Sequence, residues 1–293
     1  MTRIVDFGWR GDVIPGIGRV VSAHGDYYHL VCNEANGEII ARKKKSAFSK
    51  RIGNVCESRG IRRVQRGEIG DECLVPITGD FVRFQYNAQG ESMVTGLLPR
   101  FSHFERKDPT ARRKSQTLAV NFDTLFVMMS LNENFSTARI DRYLDLAYDM
   151  GEAEAVVVIT KMDLREEGDE EFLDELVDTI AGRARILHIS VKTGEGMDGV
   201  MEYVKPRRTL ALIGSSGVGK STLVNALAGE EWMPTQEIQE WSGKGRHTTT
   251  SRELVMLPSG AMIIDTPGIR EIGRLGEVDV CIAKGESRHR YRK

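Results

Sequence analysis

Residues Gly214-Ser215-Ser216-Gly217-Val218-Gly219-Lys220-Ser221 fit the pattern G-x-x-x-x-G-K-[ST]. They follow the apolar stretch Thr209 to Ile213 and precede a second one, Leu223 to Leu227. A glycine-rich turn between a strand and a helix is what a phosphate cradle requires. Its backbone N–H groups face the phosphates, and the helix N-terminus adds the positive end of its dipole. This pattern predicts a parallel α/β sheet with helices packed on it. Its place in the chain constrains the fold further. Thr160-Lys161-Met162-Asp163 lies about fifty residues before the phosphate loop, whereas Thr248-Thr249-Thr250 and Asp265-Thr266-Pro267-Gly268 follow it. In the usual order the phosphate loop comes first and the base-reading motif later. Here the same parts are joined elsewhere, as in a circular permutation.

Each motif has an expected task. Lys220 reaches the β- and γ-phosphates, and Ser221 offers its hydroxyl to Mg²⁺, with Thr222 next in the first helical turn. Asp265 ends the apolar stretch Ala261 to Ile264, where a second Mg²⁺-binding oxygen is expected. Gly268 then places an N–H near the γ-phosphate. One of Thr248, Thr249 and Thr250 completes the Mg²⁺ shell, and the sequence leaves open which. Asp163 accepts from guanine N1–H and the exocyclic amine, a donor pair that adenine lacks, so a P-loop ATPase is disfavoured. Lys161 lays its aliphatic stem along the base, and Met162 lies between the two. Thr160 stands where most GTPases carry Asn, a change expected to weaken the bracing of neighbouring loops. Ser190-Val191-Lys192 follows another apolar stretch, and a backbone N–H of this loop is expected at guanine O6. After the D-x-x-G glycine comes Ile269, which cannot orient an attacking water as a Gln would. Unaided hydrolysis should therefore be slow, and His247 is the nearest group able to take that role.

Ahead of these motifs the chain changes character. Residues 16–99 read as about five short strands separated by turns, among them His24-Gly25-Asp26 and Asn36-Gly37. No helical period appears there, so a small antiparallel barrel of the OB type is expected. From residue 121 strands and helices alternate, as in a doubly wound sheet. The expected layout is an OB-fold RNA-binding domain over 1–100, a basic linker over 101–120, a permuted GTPase domain over 121–276 and a basic tail over 277–293.

Charge follows the same division. Residues 1–114 carry 20 Lys and Arg against 13 Asp and Glu, whereas the remainder carries 21 against 29. A basic first part suggests a nucleic-acid partner. Lys43, Lys44, Lys45, Arg62 and Arg63 are the candidate phosphate contacts, with Tyr27 or Phe48 as candidate stacking rings. The four cysteines form no C-x-x-C pair, and no run of 18 apolar residues or secretory pattern appears. A cytoplasmic monomer with no membrane partner is expected.

These residues resemble the ribosome-small-subunit-dependent GTPase A family, RsgA or YjeQ. The segments that carry the resemblance are Leu98-Pro99-Arg100, Asn121-Phe122-Asp123-Thr124, Gly214 to Leu223, Gly245 to Thr250 and Asp265 to Glu271. The resemblance spans roughly residues 15–275. It implies an OB-fold ahead of a permuted GTPase domain, and a role in late maturation of the small ribosomal subunit through its rRNA. It also implies GTP hydrolysis stimulated by that subunit. The family normally continues into a zinc-binding domain with three cysteines and a histidine. After Gly276 this chain has only Cys281 and His289, so zinc is not expected. The alternative is an RNA-binding nucleotide switch with little or no intrinsic hydrolysis.

Overall fold

The computed structural model describes residues 3–44, 75–106, 116–131, 135–166, 168–180, 182–229 and 252–265. The chain divides into two compact units, Met1–Arg100 and Phe101–Lys293.

The first unit is a closed five-stranded barrel. Strands β1 (Ile17–His24), β2 (Tyr27–Cys32), β3 (Glu38–Lys43), β4 (Phe81–Gln85) and β5 (Ser92–Leu97) pair in the ring β1-β2-β3-β5-β4-β1. All pairings are antiparallel except β3 with β5. This is the arrangement expected of an OB-fold. Alternation along each strand sends Val20, Tyr28, Leu30, Ala41, Val82, Phe84 and Val94 into one core. The Tyr28 hydroxyl lies in that core with no hydrogen-bond partner among the described residues. Burial, reinforced by Asp26 and Asp80, pushes its pKa up to about 12.

Two buried charges lock the barrel. Asp80 is fully buried, and its two carboxylate oxygens accept from Arg100 Nε and Nη2, each at 2.8 Å. Burial pushes the Asp80 pKa up; the Arg100 hydrogen bonds and the Ile77 N–H oppose that shift. Arg19 is also fully buried, donates to the carbonyls of Phe7 and Gly79, and lies 4.9 Å from the centre of the Phe81 ring.

The second unit is built on a parallel sheet. Its strands are β8 (Thr124–Ser130), β9 (Glu154–Thr160), β10 (Arg185–His188), β11 (Thr209–Ile213), β12 (Glu253–Met256) and β13 (Met262–Asp265), in the spatial order β10-β9-β8-β11-β13-β12. Every neighbouring pair is parallel except β12 with β13, a hairpin. Strand β8 is buried along its whole length, which explains its unbroken apolar sequence. Helices α1 (Thr137–Leu146), α2 (Asp169–Ile180), α3 (Met197–Met201) and α4 (Lys220–Ala228) complete the described elements. No described helix is long and apolar enough to cross a membrane. Phe126, Met128, Val158, Leu210, Leu212, Val218, Leu223 and Ile263 form one core beneath the phosphate loop.

The stretch expected as a linker carries structure instead. Strands β6 (His103–Arg106) and β7 (Gln116–Val120) pair antiparallel within the second unit. At the end of the main sheet opposite the phosphate loop, Asp123 ties β8 to β11. Its carboxylate accepts from Thr209 N–H at 2.7 Å and from Arg208 Nη1 at 2.8 Å.

Candidate functional site

In a parallel sheet all strands end on the same edge, and ligands bind beyond their carboxyl ends. The motifs read from the sequence gather there. Thr160 closes β9, Ser190 follows β10, Gly214 follows β11 and Asp265 closes β13. P-loop strand β11 lies between β8 and β13, at the sheet's centre.

The phosphate loop is shaped by its glycines. Gly214 has φ +153°, and a Cβ there would lie 2.5 Å from the Met128 carbonyl oxygen. Strand β8 therefore leaves no room for a side chain at that position. Gly219 caps α4 with φ +90°, a left-handed conformation that turns the chain into the helix. Val218 is buried in the core and anchors the middle of the loop. Ser216, Gly217 and Thr222 are exposed, while Ser215, Lys220 and Ser221 are half-buried. The Lys220 ammonium donates to the carbonyls of Gly214 at 2.6 Å and Ser215 at 2.7 Å. A cation pinned across the loop in this way complements a polyphosphate.

The base-reading loops are braced against one another. Lys161 adopts a left-handed conformation, φ +62°, unusual for a residue with a Cβ. This sharp turn opens a short 3-10 turn, Met162–Leu164, in which Met162 is buried. The Met162 N–H donates to the Ile189 carbonyl at 3.1 Å. Ser190 is buried, and its hydroxyl donates to Asp163 Oδ1 at 2.7 Å while accepting from Thr193 N–H at 3.2 Å. That Ser190 bond holds the Asp163 carboxyl below the usual carboxylate range, with a smaller effect from Lys192, whose ammonium lies 3.8 Å away. The Asp163 side chain is 15% exposed, enough to accept from a ligand.

Two details add to the sequence reading. The Ser190 backbone N–H donates to the Glu195 carbonyl at 2.9 Å, so it is committed within its own loop. The serine instead contributes through its side chain, by orienting Asp163. Thr160 makes a bracing contact of its own. Its buried hydroxyl donates to the Val218 carbonyl at 2.7 Å, linking the base-reading loop directly to the phosphate loop.

The remaining candidates divide by position. His247, Thr248, Thr249, Thr250, Gly268 and Ile269 lie outside the described residues, as do Lys45, Phe48, Arg62, Arg63, Cys281 and His289. Asp265 is placed by its backbone at the end of β13. On the barrel Lys44 is exposed, but Lys43 is engaged by Asp26, with 3.0 Å between Nζ and Oδ1. No cluster of His, Cys, Asp and Glu that could hold a metal occurs among the described residues. The Ser221 hydroxyl and a carboxylate at Asp265 are oxygen donors of the kind Mg²⁺ prefers. With the pinned Lys220, the braced Asp163 and the glycine-shaped loop, they fit a guanine nucleotide and its Mg²⁺.

Comparison with known proteins agrees with this geometry. Residues 97–275 match the model of the RsgA GTPase family. The chain is 35% identical over 258 residues to the small ribosomal subunit biogenesis GTPase RsgA 2 of Lactiplantibacillus plantarum, covering 87% of this chain and 66% of that one. It is likewise 35% identical over 262 residues to the small ribosomal subunit biogenesis GTPase RsgA of Leptospira interrogans, covering 89% and 65%. The chain thus spans just under two thirds of the length of these curated relatives. Among solved structures it resembles YjeQ from Thermotoga maritima, with a TM-score of 0.59 and 26% identity over 87% of this chain and 75% of that one. It shares its fold with YloQ, described as a circularly permuted GTPase, with a TM-score of 0.53, 22% identity and coverage of 86% and 70%. On the family match and these relatives, the chain belongs to the RsgA GTPase family.

Proposed function

We propose that this chain is a GTP hydrolase that works on the small ribosomal subunit during its late maturation, as a cytoplasmic monomer. The observation that carries the reading is the bracing of three loops at one sheet edge. Thr160 joins the base-reading loop to the phosphate loop, and Ser190 joins it to the loop after β10. A base seated on Asp163 and phosphates seated on residues 214–222 would thus be held in one register.

Each residue then has a task. Asp163 accepts from the guanine edge, with Lys161 along the ring and Met162 holding the turn between them. Since the Ser190 N–H is committed, the O6 donor of that loop is the Val191 or Lys192 N–H. Lys220 and the loop amides hold the phosphates, and Ser221 and Asp265 offer oxygens to Mg²⁺ together with one of Thr248–Thr250. Bound Mg²⁺ supplies charge neutralisation at the phosphates. Gly268 and His247 are assigned to the γ-phosphate and the attacking water. From the first unit, Lys44, Lys45, Arg62 and Arg63 contact rRNA phosphates. Lys43 is the weakest member of that set, because Asp26 already neutralises it.

The test is GTP turnover with and without purified small ribosomal subunits, at two salt concentrations. Strong, salt-sensitive stimulation is expected, and it should vanish in Lys220→Ala. Ile269, where a water-orienting Gln is usual, favours a second reading: an RNA-binding switch that holds nucleotide without turning it over. Tight GTP binding with no turnover on saturating subunits would select that reading.

A further inference from the structure

We propose that His188 is a positioning residue for the two guanine-reading loops and holds them together only while its imidazole is neutral, so that guanine-nucleotide affinity falls when it charges. This rests on the guanine-site reading above and adds a proton-sensitive support to it.

His188 closes β10, two residues before Ser190. Strand alternation sends Leu187 into the core beside Val200 and turns His188 to the other face of the sheet. The next residue, Ile189, is where the loops meet. Its N–H donates to the Ile159 carbonyl at 2.8 Å, and its carbonyl accepts from the Met162 N–H at 3.1 Å. The loop that begins at Ser190 folds back on the same place. Gly196 lies against the His188 carbonyl with no room for a Cβ, and the Ser190 N–H closes the turn on the Glu195 carbonyl at 2.9 Å. A displacement at His188 is therefore felt in both loops.

The ring is held as a neutral group. Its Nε2 is buried and has no hydrogen-bond partner among the described residues. An imidazolium carries a proton on both nitrogens, so charging would place a cationic N–H where nothing accepts it. The neutral ring avoids this by carrying its proton on Nδ1 and leaving Nε2 bare. Burial accordingly holds His188 below the usual imidazole range. The charged groups that act on the ring come from the two loops it supports. Arg165, two residues after Asp163, lowers its pKa further, and Glu195 opposes that shift. A ring that does charge is repelled from the base-reading side and drawn toward Glu195, whose carbonyl closes the neighbouring turn. The Met162–Ile189 seam then loses the support that keeps Asp163 and the Val191 and Lys192 amides in register.

The nucleotide-bound loops require the neutral ring, so the bound protein holds fewer protons than the free one. Affinity is full above the ordinary imidazole range and is lost as pH falls through the lowered value, in a step separate from the protonation of Asp163.

The experiment titrates fluorescent GDP into the full chain across the imidazole and carboxylate ranges. The parent should lose about tenfold in the first step, which corresponds to a one-unit lowering of the His188 pKa by GDP. His188→Met, unbranched and unable to charge, should match the parent within about twofold above the imidazole range and stay flat across it. Glu195→Gln should move the parent's first step to lower pH, and Arg165→Gln should move it to higher pH. Imidazole proton resonances, with His188 assigned by its absence in His188→Met, should show a lower His188 midpoint with GDP than without. Coincident profiles in parent and His188→Met, steps that Glu195→Gln and Arg165→Gln do not move apart, or equal His188 midpoints with and without GDP overturn the role of His188 and leave the guanine site standing. A chain that binds no GDP at any pH overturns the guanine reading and this inference with it.

Discussion

A single hydroxyl does much of the bracing at the candidate site. The Thr160 hydroxyl donates to the buried Val218 carbonyl at 2.7 Å. Thr160→Val keeps the shape and removes the donor, so the carbonyl loses its partner in a place water does not readily reach. A cost of about 1–3 kcal/mol is expected. It should appear as a lower denaturant midpoint together with weaker GDP binding, whereas Thr160→Ser should restore both. Asp163 gives a pH signature. Its folded pKa is lowered, first by the Ser190 bond, so the stabilisation from its ionised form is fully present above the ordinary carboxylate range. That stabilisation is lost as pH falls through the lowered value. The Asp163 share of GDP affinity in the parent should therefore persist to pH values below the ordinary carboxylate range before Asp163 protonation weakens it. Ser190→Ala should move this acid limb upward. Fluorescent GDP titrations of parent and variant across acid pH check the shift; coincident profiles would show that Ser190 does not set the Asp163 charge.

Among the elements, the strands and the loops make different demands. At Gly214 a Cβ would lie 2.5 Å from the Met128 carbonyl, and backbone atoms do not yield easily. Gly214→Ala should push β8 and β11 apart at the phosphate loop and abolish GDP binding in an otherwise folded chain, checked by circular dichroism beside the titration. The barrel core carries the opposite kind of defect, a Tyr28 hydroxyl with no partner among the described residues. Tyr28→Phe removes a buried polar atom that gains nothing from its surroundings, so it should be neutral or stabilise the barrel by up to about 1 kcal/mol in urea unfolding. Much of this layout was legible beforehand. Strands that alternate over part of their length, such as β4 from Val82 on, and fully buried ones, such as β8, announce themselves by period or by unbroken apolarity. Strands β6, β7 and β12 escaped; β6 and β7 flank a basic stretch that resembles a linker. The motif residues fell at one edge because each ends a strand of the same parallel sheet. Their mutual hydrogen bonds were not legible, since Thr160–Val218 and Asp163–Ser190 span 58 and 27 residues and depend on which strands become neighbours. The Asp80–Arg100 pair is hidden for the same reason: nothing in a local window says that a carboxylate will be fully buried.

At the scale of the whole molecule, chemistry and charge are divided along the chain. The phosphate loop and the candidate base reader belong to the second unit, which is acidic from residue 115 onward, and the barrel belongs to the basic first unit. An acidic unit is compatible with the proposed polyphosphate site because its contacts would be local: the pinned Lys220, the loop amides and a dipole end would act within a few ångströms, where net charge counts for little. RNA affinity depends instead on many spread cations and on counterion release. The two functions should therefore separate on mutation. Lys220→Ala should reduce subunit-stimulated turnover by about a hundredfold or more, because transition-state charge loses a preorganised cation. The same variant should leave the affinity for a single-stranded RNA within about twofold and its salt slope intact. Lys44→Ala, on the exposed barrel face, should do the reverse, weakening RNA binding and lowering the slope by about one while GDP affinity stays unchanged. Paired anisotropy and turnover measurements on the two variants decide the matter. Loss of RNA affinity in Lys220→Ala would mean that the phosphate loop itself contributes to RNA binding, and the division by charge would then be wrong.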